Sequence, residues 1–273
     1  MTMPHPHSLG CVSFLNSKPL IEPLVGNPAV RVHFAVPSLL LPLIESGTVT
    51  AGLMSVVDFQ AAATKLLLLP AGMIGCDGPT LTVRVYSRVP PGRITALHGD
   101  TDSHTSVILA QVILRERFGI APPLVPLGAA KGGENLPESM ILIGDKVVNA
   151  SPDPAHYPHQ LDLGEQWKLL TGLPFIFAMW MIREDRAAAE GAAIGRLLSG
   201  GRRAGAAMTE QLLDRYADET GWPRDLARRY FTEYLRYEVT AGAREGLARF
   251  FQLAQKHSLL ECRRSIEYLE IPE

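Results

Sequence analysis

Cysteine is scarce: Cys11, Cys76 and Cys262 are the only three in 273 residues, far apart and without Cys-x-x-Cys spacing. That excludes a disulfide framework and a cysteine zinc site, and leaves reduced, buried thiols as the expectation. An excess of either charge is also lacking. With 26 Lys and Arg against 28 Asp and Glu, the formal charge is −2, so the chain has no basic footprint for nucleic acid or for an anionic membrane. No apolar run reaches bilayer length without a polar interruption, and the opening "MTMPHPHSLGCVSFLN" has neither a basic lead nor a long apolar stretch behind it. A soluble, cytoplasmic protein with no membrane partner is the expectation.

Familiar catalytic frames are missing too. "DPAHYPHQ" gathers Asp153, His156 and His159, but without a helical His-Glu-x-x-His frame it reads as a polar loop rather than a metal site. "GAAKGGENLP" is glycine-rich yet lacks the Lys-Ser/Thr ending of a phosphate loop, and no Gly-x-Gly-x-x-Gly follows a strand. "GLMSVVDF" lacks the second glycine that would make Ser55 a hydrolase nucleophile.

What remains is a 47% hydrophobic chain that can bury a large core in one or two domains. Short apolar runs alternate with helical patterns. "HSLGCVSFL", "VRVHFAV", "VTAGLMS" and "KLLLLP" read as strands, while "SKPLIEPLV", "SLLLPLIESG" from Ser38 and "VVDFQAAAT" read as helices. A second unit follows with "LTVRVYSR" and "ITALH" as strands, a helix carrying Val107, Ala110, Leu114 and Phe118 on one face, then "SMILIGDKVVN" and "PFIFAMWMI" as strands. From Arg186 onward the period is helical, as if the chain returned to cover the first unit. The order predicts an α/β, two-lobed, periplasmic-binding-protein-like fold of type II with a cleft between lobes and C-terminal helices. Lobe 1 would hold residues 1–86 and 181–273 and lobe 2 residues 87–180, with "LTVRVYS" and "FIFAMWMI" as the crossings. In such folds ligands sit at strand ends in the cleft.

The polar residues at strand ends are therefore the candidates. "GDTDSHTSVILAQVIL" sets Ser103, Thr105 and Ser106 at a helix start, where free backbone N–H groups and the positive end of the dipole favour an anion. The plainer reading makes Asp102 or Ser103 an N-cap and lets the others solvate the first turn. Asn16 and Ser17 follow the first strand, and an asparagine amide can both donate and accept in a cleft; a turn or cap explains the pair equally well. Ser55 ends a strand, and Thr80 and Thr82 lie near a lobe crossing. Gly144 permits close backbone approach, and Asp145 is either a general base or a cap. Trp167, Phe175, Phe177 and Trp180 read as core before they read as walls for a ring.

Taken in order, "VSFLNSKPL", "VPSLLLPLIESGTVTAGLMSVVDF", "DTDSHTSVIL", "LIGDKVVN" and "DLGEQWKLLTGLPFIFAMW" resemble the chorismate dehydratases of the futalosine route to menaquinone, and "EGLARFFQLAQKHSLL" is similar to that family's last helix. The resemblance implies a two-lobed fold and the conversion of chorismate to 3-[(1-carboxyvinyl)oxy]benzoate and water, with no metal and no other cofactor. It implies Asn16, Ser55, Thr82, Thr105, Ser106 and Asp145 as ligand contacts, with Asn16 the catalytic candidate. His104 stands where the family more often has Arg, and Thr82 where it tends to have Ser. A 1,4-dihydroxy-6-naphthoate synthase-like enzyme and a non-catalytic small-anion-binding protein are the alternatives.

Overall fold

The computed structural model describes residues 6–99, 104–127 and 136–271. Its strands are β1 (His7–Cys11), β2 (Val30–Phe34), β3 (Ala51–Ser55), β4 (Leu66–Cys76), β5 (Val83–Ser87), β6 (Leu97–Gly99), β7 (Leu124–Pro126), β8 (Ser139–Ile143), β9 (His159–Asp162), β10 (Phe175–Arg183) and β11 (Leu235–Arg236). Its helices are α1 (Lys18–Ile21), α2 (Pro37–Glu45), α3 (Asp58–Ala61), α4 (His104–Phe118), α5 (Asp145–Asn149), α6 (Leu163–Thr171), α7 (Glu184–Arg186), α8 (Ala192–Ala207), α9 (Thr209–Tyr216), α10 (Arg224–Arg229) and α11 (Ala241–Lys256).

Among the described residues the strands form two mixed sheets, ordered β11-β4-β10-β3-β1-β2 and β7-β6-β8-β5-β9. In the first, β1 runs parallel to β2 and β3, and β10 lies antiparallel between β3 and β4. Strand β10 explains its own sequence. Met179 and Met181 join one buried cluster with Phe250 of α11, while Trp180 and Ile182 join the other with Ile194 and Leu198 of α8. A strand buried on both faces needs the unbroken apolar run that "FIFAMWMI" supplies. Each such side chain taken fully out of water stabilises the fold by about 1.5–3 kcal/mol.

Both segments expected to cross between lobes lie instead within one sheet. Val83–Ser87 pairs throughout with β8 and β9, and Phe175–Arg183 pairs throughout with β3 and β4. The changes of sheet fall in the short connections before them, because an extended apolar strand is better satisfied by neighbours on both edges than by bridging two bodies. "SMILIGDKVVN" also divides: the strand stops at Ile143 and α5 begins at Asp145. Ser38 is not the cap of its helix, since α2 starts with Pro37 and no side chain caps it. After Arg186 the regular structure is helical apart from the short β11 and a bridge from Tyr268 to Leu68, and the segment after Lys256 is irregular.

Helix α8 is tied closely to the start of the chain. A Cβ on Gly205 would overlap the Pro19 carbonyl oxygen, and one on Gly201 would sit 2.9 Å from Leu24. Only glycine lets α8 lie this near α1, and α1 is the helix that follows Asn16.

Candidate active site

A cavity of about 440 Å³ is lined from both sheets, by strand ends and by the first turns of α4 and α5. Asn16, Ser55, Thr82, Thr105, Ser106, Gly144 and Asp145 all line it. Ser103, like the preceding Asp100 and Asp102, lies outside the described residues.

Asn16 sits in a tight turn, Leu15–Ser17, just after β1. The turn is fixed from two sides. The Ser17 hydroxyl lies 2.8 Å from the carbonyls of both Val12 and Phe14, and the Tyr237 phenol donates to the Asn16 carbonyl at 3.1 Å. The side-chain amide oxygen of Asn16 is buried without a hydrogen-bond partner. A buried acceptor without a donor is costly, and the same side chain also hydrogen-bonds the Tyr230 phenol.

Thr105 is less available than its position suggests. Its hydroxyl donates to the Phe177 carbonyl at 3.1 Å and lies 2.5 Å from the Ser55 hydroxyl. A hydroxyl has one proton, so with Thr105 donating to Phe177, the Ser55 proton goes to Thr105. Ser55 then turns only lone pairs toward the cavity, and the Thr105 proton is spent on the Phe177 carbonyl. Ser106 differs: it is 4% exposed, lines the cavity, and its hydroxyl is committed to no protein group among the described residues. It stands two residues into α4, which runs from His104 to Phe118.

Thr82 is held from the C-terminal helices. Its hydroxyl meets the Tyr230 phenol at 2.8 Å. Tyr230 stacks on Trp222 with centroids 4.8 Å apart, and Trp222 donates its indole N–H to Asp145 Oδ1 at 2.8 Å. Burial pushes the Tyr230 phenol well above its ordinary range, against the opposing pull of Thr82 and Asn16, so it acts as a neutral hydroxyl. Asp145 therefore neither caps α5 nor swings freely: its side chain is fixed by an indole from another part of the chain.

Gly144 adopts φ +59° and ψ −139°, and its N–H donates to the Thr82 carbonyl at 2.8 Å. No atom lies within 4 Å of where its Cβ would be, so the requirement for glycine here is conformational rather than steric. The loop bearing Thr80 and Thr82 has its own anchor. Asp162, 5% exposed, accepts from the backbone N–H groups of Thr80, Leu81, Gly164 and Glu165 at 2.8–3.2 Å. These bonds hold Leu81 at φ +67°, a conformation that side chains other than glycine rarely adopt.

Sequence reasoning did not single out Asp162, Tyr230, Trp222 or the pairing of His104 with Asp58. His104 Nδ1 lies 2.8 Å from Asp58 Oδ1, with the Asp58 side chain 3% and the His104 side chain 39% exposed. The Asp58 carboxylate orients the His104 ring, and His104 lines the cavity. Only Asp162 had a local signal, an acid directly before a helical run. Of the four aromatics weighed as ring walls, Phe177 reaches the cavity, while Trp167, Phe175 and Trp180 are core. Burial raises the Cys11 thiol to about 12, so it is no nucleophile. Among the described residues, no cluster of three His, Cys, Asp or Glu side chains is arranged to hold a metal ion, and no helix is long and apolar enough to cross a membrane.

Comparisons with known proteins agree with this architecture. The alkanesulfonate-binding protein of Xanthomonas axonopodis pv. citri, solved bound to MOPS, superposes with a TM-score of 0.68 at 14% identity, covering 98% of each chain. A Candida albicans protein with the generic periplasmic-binding-protein fold superposes at 0.62 with 9% identity, again over 98% of each. These likenesses establish the two-lobed binding-protein fold. In sequence, the chorismate dehydratase of Thermus thermophilus is 28% identical over 262 residues, 90% of this chain and 94% of that protein. The family model for menaquinone biosynthesis matches residues 7–256. With nearly the whole length matched, the chain belongs to the menaquinone biosynthesis family.

Proposed function

We propose that the protein is a chorismate dehydratase, a carbon–oxygen lyase that removes water from chorismate to give 3-[(1-carboxyvinyl)oxy]benzoate in the futalosine route, acting in the cytoplasm. The observation that carries this reading is the cavity of about 440 Å³ lined by Asn16 together with the hydroxyl residues Ser55, Thr82, Thr105 and Ser106. The name of the Thermus thermophilus relative supports it.

Chorismate carries two carboxylates and a ring hydroxyl. One carboxylate suits the Ser106 hydroxyl near the start of α4, where the helix dipole adds to the attraction. His104, held by Asp58, lines the same cavity on the side of the second. The ring hydroxyl has one proton to give, and the lone pairs of Ser55 supply its acceptor.

The reaction takes a proton from the ring carbon bearing the enolpyruvyl ether and hydroxide from its neighbour. Proton and hydroxide leave together as water, the ring becomes aromatic, and no electron is gained or lost. Aromatisation supplies much of the driving force, so fixed geometry supplies much of the catalysis. Asn16 orients the leaving hydroxyl, and the substrate's own enolpyruvyl carboxylate takes the ring proton and passes it to the departing hydroxide, which leaves as water. Asp145, pinned by Trp222, holds the cavity shape rather than acting as base.

The test is incubation with chorismate, following an aromatic product by absorbance and a product lighter by one water by mass. Turnover that survives exhaustive chelation is expected. Chorismate bound but unchanged would replace this reading with that of an anion-binding protein; chorismate neither bound nor changed would exclude both.

A further inference from the structure

A second cavity, of about 660 Å³, shares no lining residue with the first. Arg196, Ser199 and Arg203 line it from α8, Arg244 from α11, and Pro70, Tyr268, Leu269 and Ile271 from β4 and the C-terminal segment. At seven residues' separation, Arg196 and Arg203 fall on one face of α8, about 10 Å apart along its axis. The C-terminal segment is laced to β4, with Leu68 N–H donating to Glu267 at 2.9 Å and Leu269 N–H donating to Leu68 at 2.8 Å. The floor is therefore fixed.

Several arginines elsewhere in this chain have carboxylate partners. Arg183, Arg186, Arg215, Arg224, Arg228, Arg229 and Arg263 are all ion-paired. Among the described residues, Arg196, Arg203 and Arg244 have none, and Arg244 instead lies 4.3 Å from the Tyr268 ring centroid. The Tyr268 hydroxyl is itself buried without a partner. Glu270 is the one carboxylate in the lining. Three guanidiniums against one carboxylate leave two charges uncompensated above an apolar floor of proline, leucine, isoleucine and a tyrosine ring.

We infer that this cavity is a second ligand site, for a small dianion with an apolar body such as an aromatic dicarboxylate. The guanidinium forks suit carboxylate oxygens, and the floor suits a flat hydrocarbon body. The inference is independent of the reaction proposed for the Asn16 cavity.

Isothermal titration with isophthalate, a ring dicarboxylate, and with pyrophosphate, a compact anion without an apolar body, tests it. Isophthalate is expected to bind wild type and Asn16→Leu alike, and more tightly than pyrophosphate. Arg203→Gln should weaken it about tenfold and Arg203→Gln/Arg244→Gln about a hundredfold, one charge-assisted contact being lost at each step. Both positions are exposed and glutamine suits a helix, so the fold should persist by circular dichroism; Arg203→Lys, which keeps the charge without the fork, should fall between. Chorismate turnover, where present, should be unchanged in these variants. No saturable binding, or binding lost in Asn16→Leu yet kept in the double arginine variant, would overturn the site, and pyrophosphate binding as tightly as isophthalate would overturn the apolar part of the ligand.

Discussion

The Ser55 hydroxyl, at the end of a strand in the first sheet, lies 2.5 Å from the Thr105 hydroxyl at the start of the helix that follows a strand of the second. The contact joins the two bodies at the cavity, and its direction is set by the Phe177 carbonyl that takes the Thr105 proton. Thr105 and Ser106 are adjacent in sequence and differ in role. Thr105→Val, which removes the hydroxyl and keeps the shape, is expected to lower the melting temperature, since it strips a buried carbonyl and Ser55 of a partner worth about 1–3 kcal/mol. Ser106→Ala should leave the melting temperature near wild type and weaken chorismate binding about tenfold or more. Calorimetry and thermal unfolding on the two variants decide it; the opposite pattern would exchange the assignments.

Asn16 separates chemistry from binding. Asn16→Leu keeps the size and loses every hydrogen bond, so a group that acts on the leaving hydroxyl should cost far more in kcat than in KM. Asn16→Asp keeps the shape and places a negative charge beside a dianion, and weaker binding with no gain in rate is expected. Single-turnover kinetics measure both, and a wild-type rate in the leucine variant would remove Asn16 from the mechanism.

Asp162 holds the loop that carries Thr80 and Thr82 through four backbone N–H groups. Asp162→Ala abandons all four and releases Leu81 from its left-handed conformation. A loss of about 3 kcal/mol or more is expected. Chemical denaturation gives the number, and a loss below about 1 kcal/mol would show that water replaces the carboxylate without cost.

Acid stability should depend on Glu116. A hydrogen bond from Lys256 holds its carboxyl below the usual value of 4.5, with burial opposing and His257 adding to the effect. A depressed carboxylate stabilises the fold fully above its unfolded pKa, and that contribution disappears as pH falls through the lower folded value. The melting-temperature gap between wild type and Glu116→Gln should therefore be constant from neutral pH to about 5 and close below about 4. Its size corresponds to about 1 kcal/mol, because Lys256 is largely in water. A gap that widened in acid would reverse the sign.

Much of this site was legible because strand ends announce themselves. An apolar run that stops at Asn16, Ser55 or Gly144 places those residues at a rim whatever the topology. What was not legible depends on pairings made at long range. Asp58 meets His104 across 46 residues, Asp145 meets Trp222 across 77, and Thr82 meets Tyr230 across 148. No local period encodes such contacts, since they exist only after both sheets and the C-terminal helices have docked. The expected crossings failed for a related reason: an apolar strand looks the same in sequence whether it bridges two bodies or sits at the centre of one.

The position of β10 between β3 and β4 carries a consequence for synthesis. The first four strands emerge early, yet β3 and β4 never pair with each other, and both wait with an open edge for a strand that ends at Arg183. Every strand of the second sheet, by contrast, lies between Val83 and Asp162 and is complete before β10 appears. The sheet begun first is thus finished last, and its apolar edges are exposed while its neighbour folds. A chain truncated after Ser87 should aggregate on dilution from denaturant, which light scattering would register, whereas one reaching Lys256 should not. On the ribosome, the segment Leu66–Cys76 is where a chaperone would be needed longest.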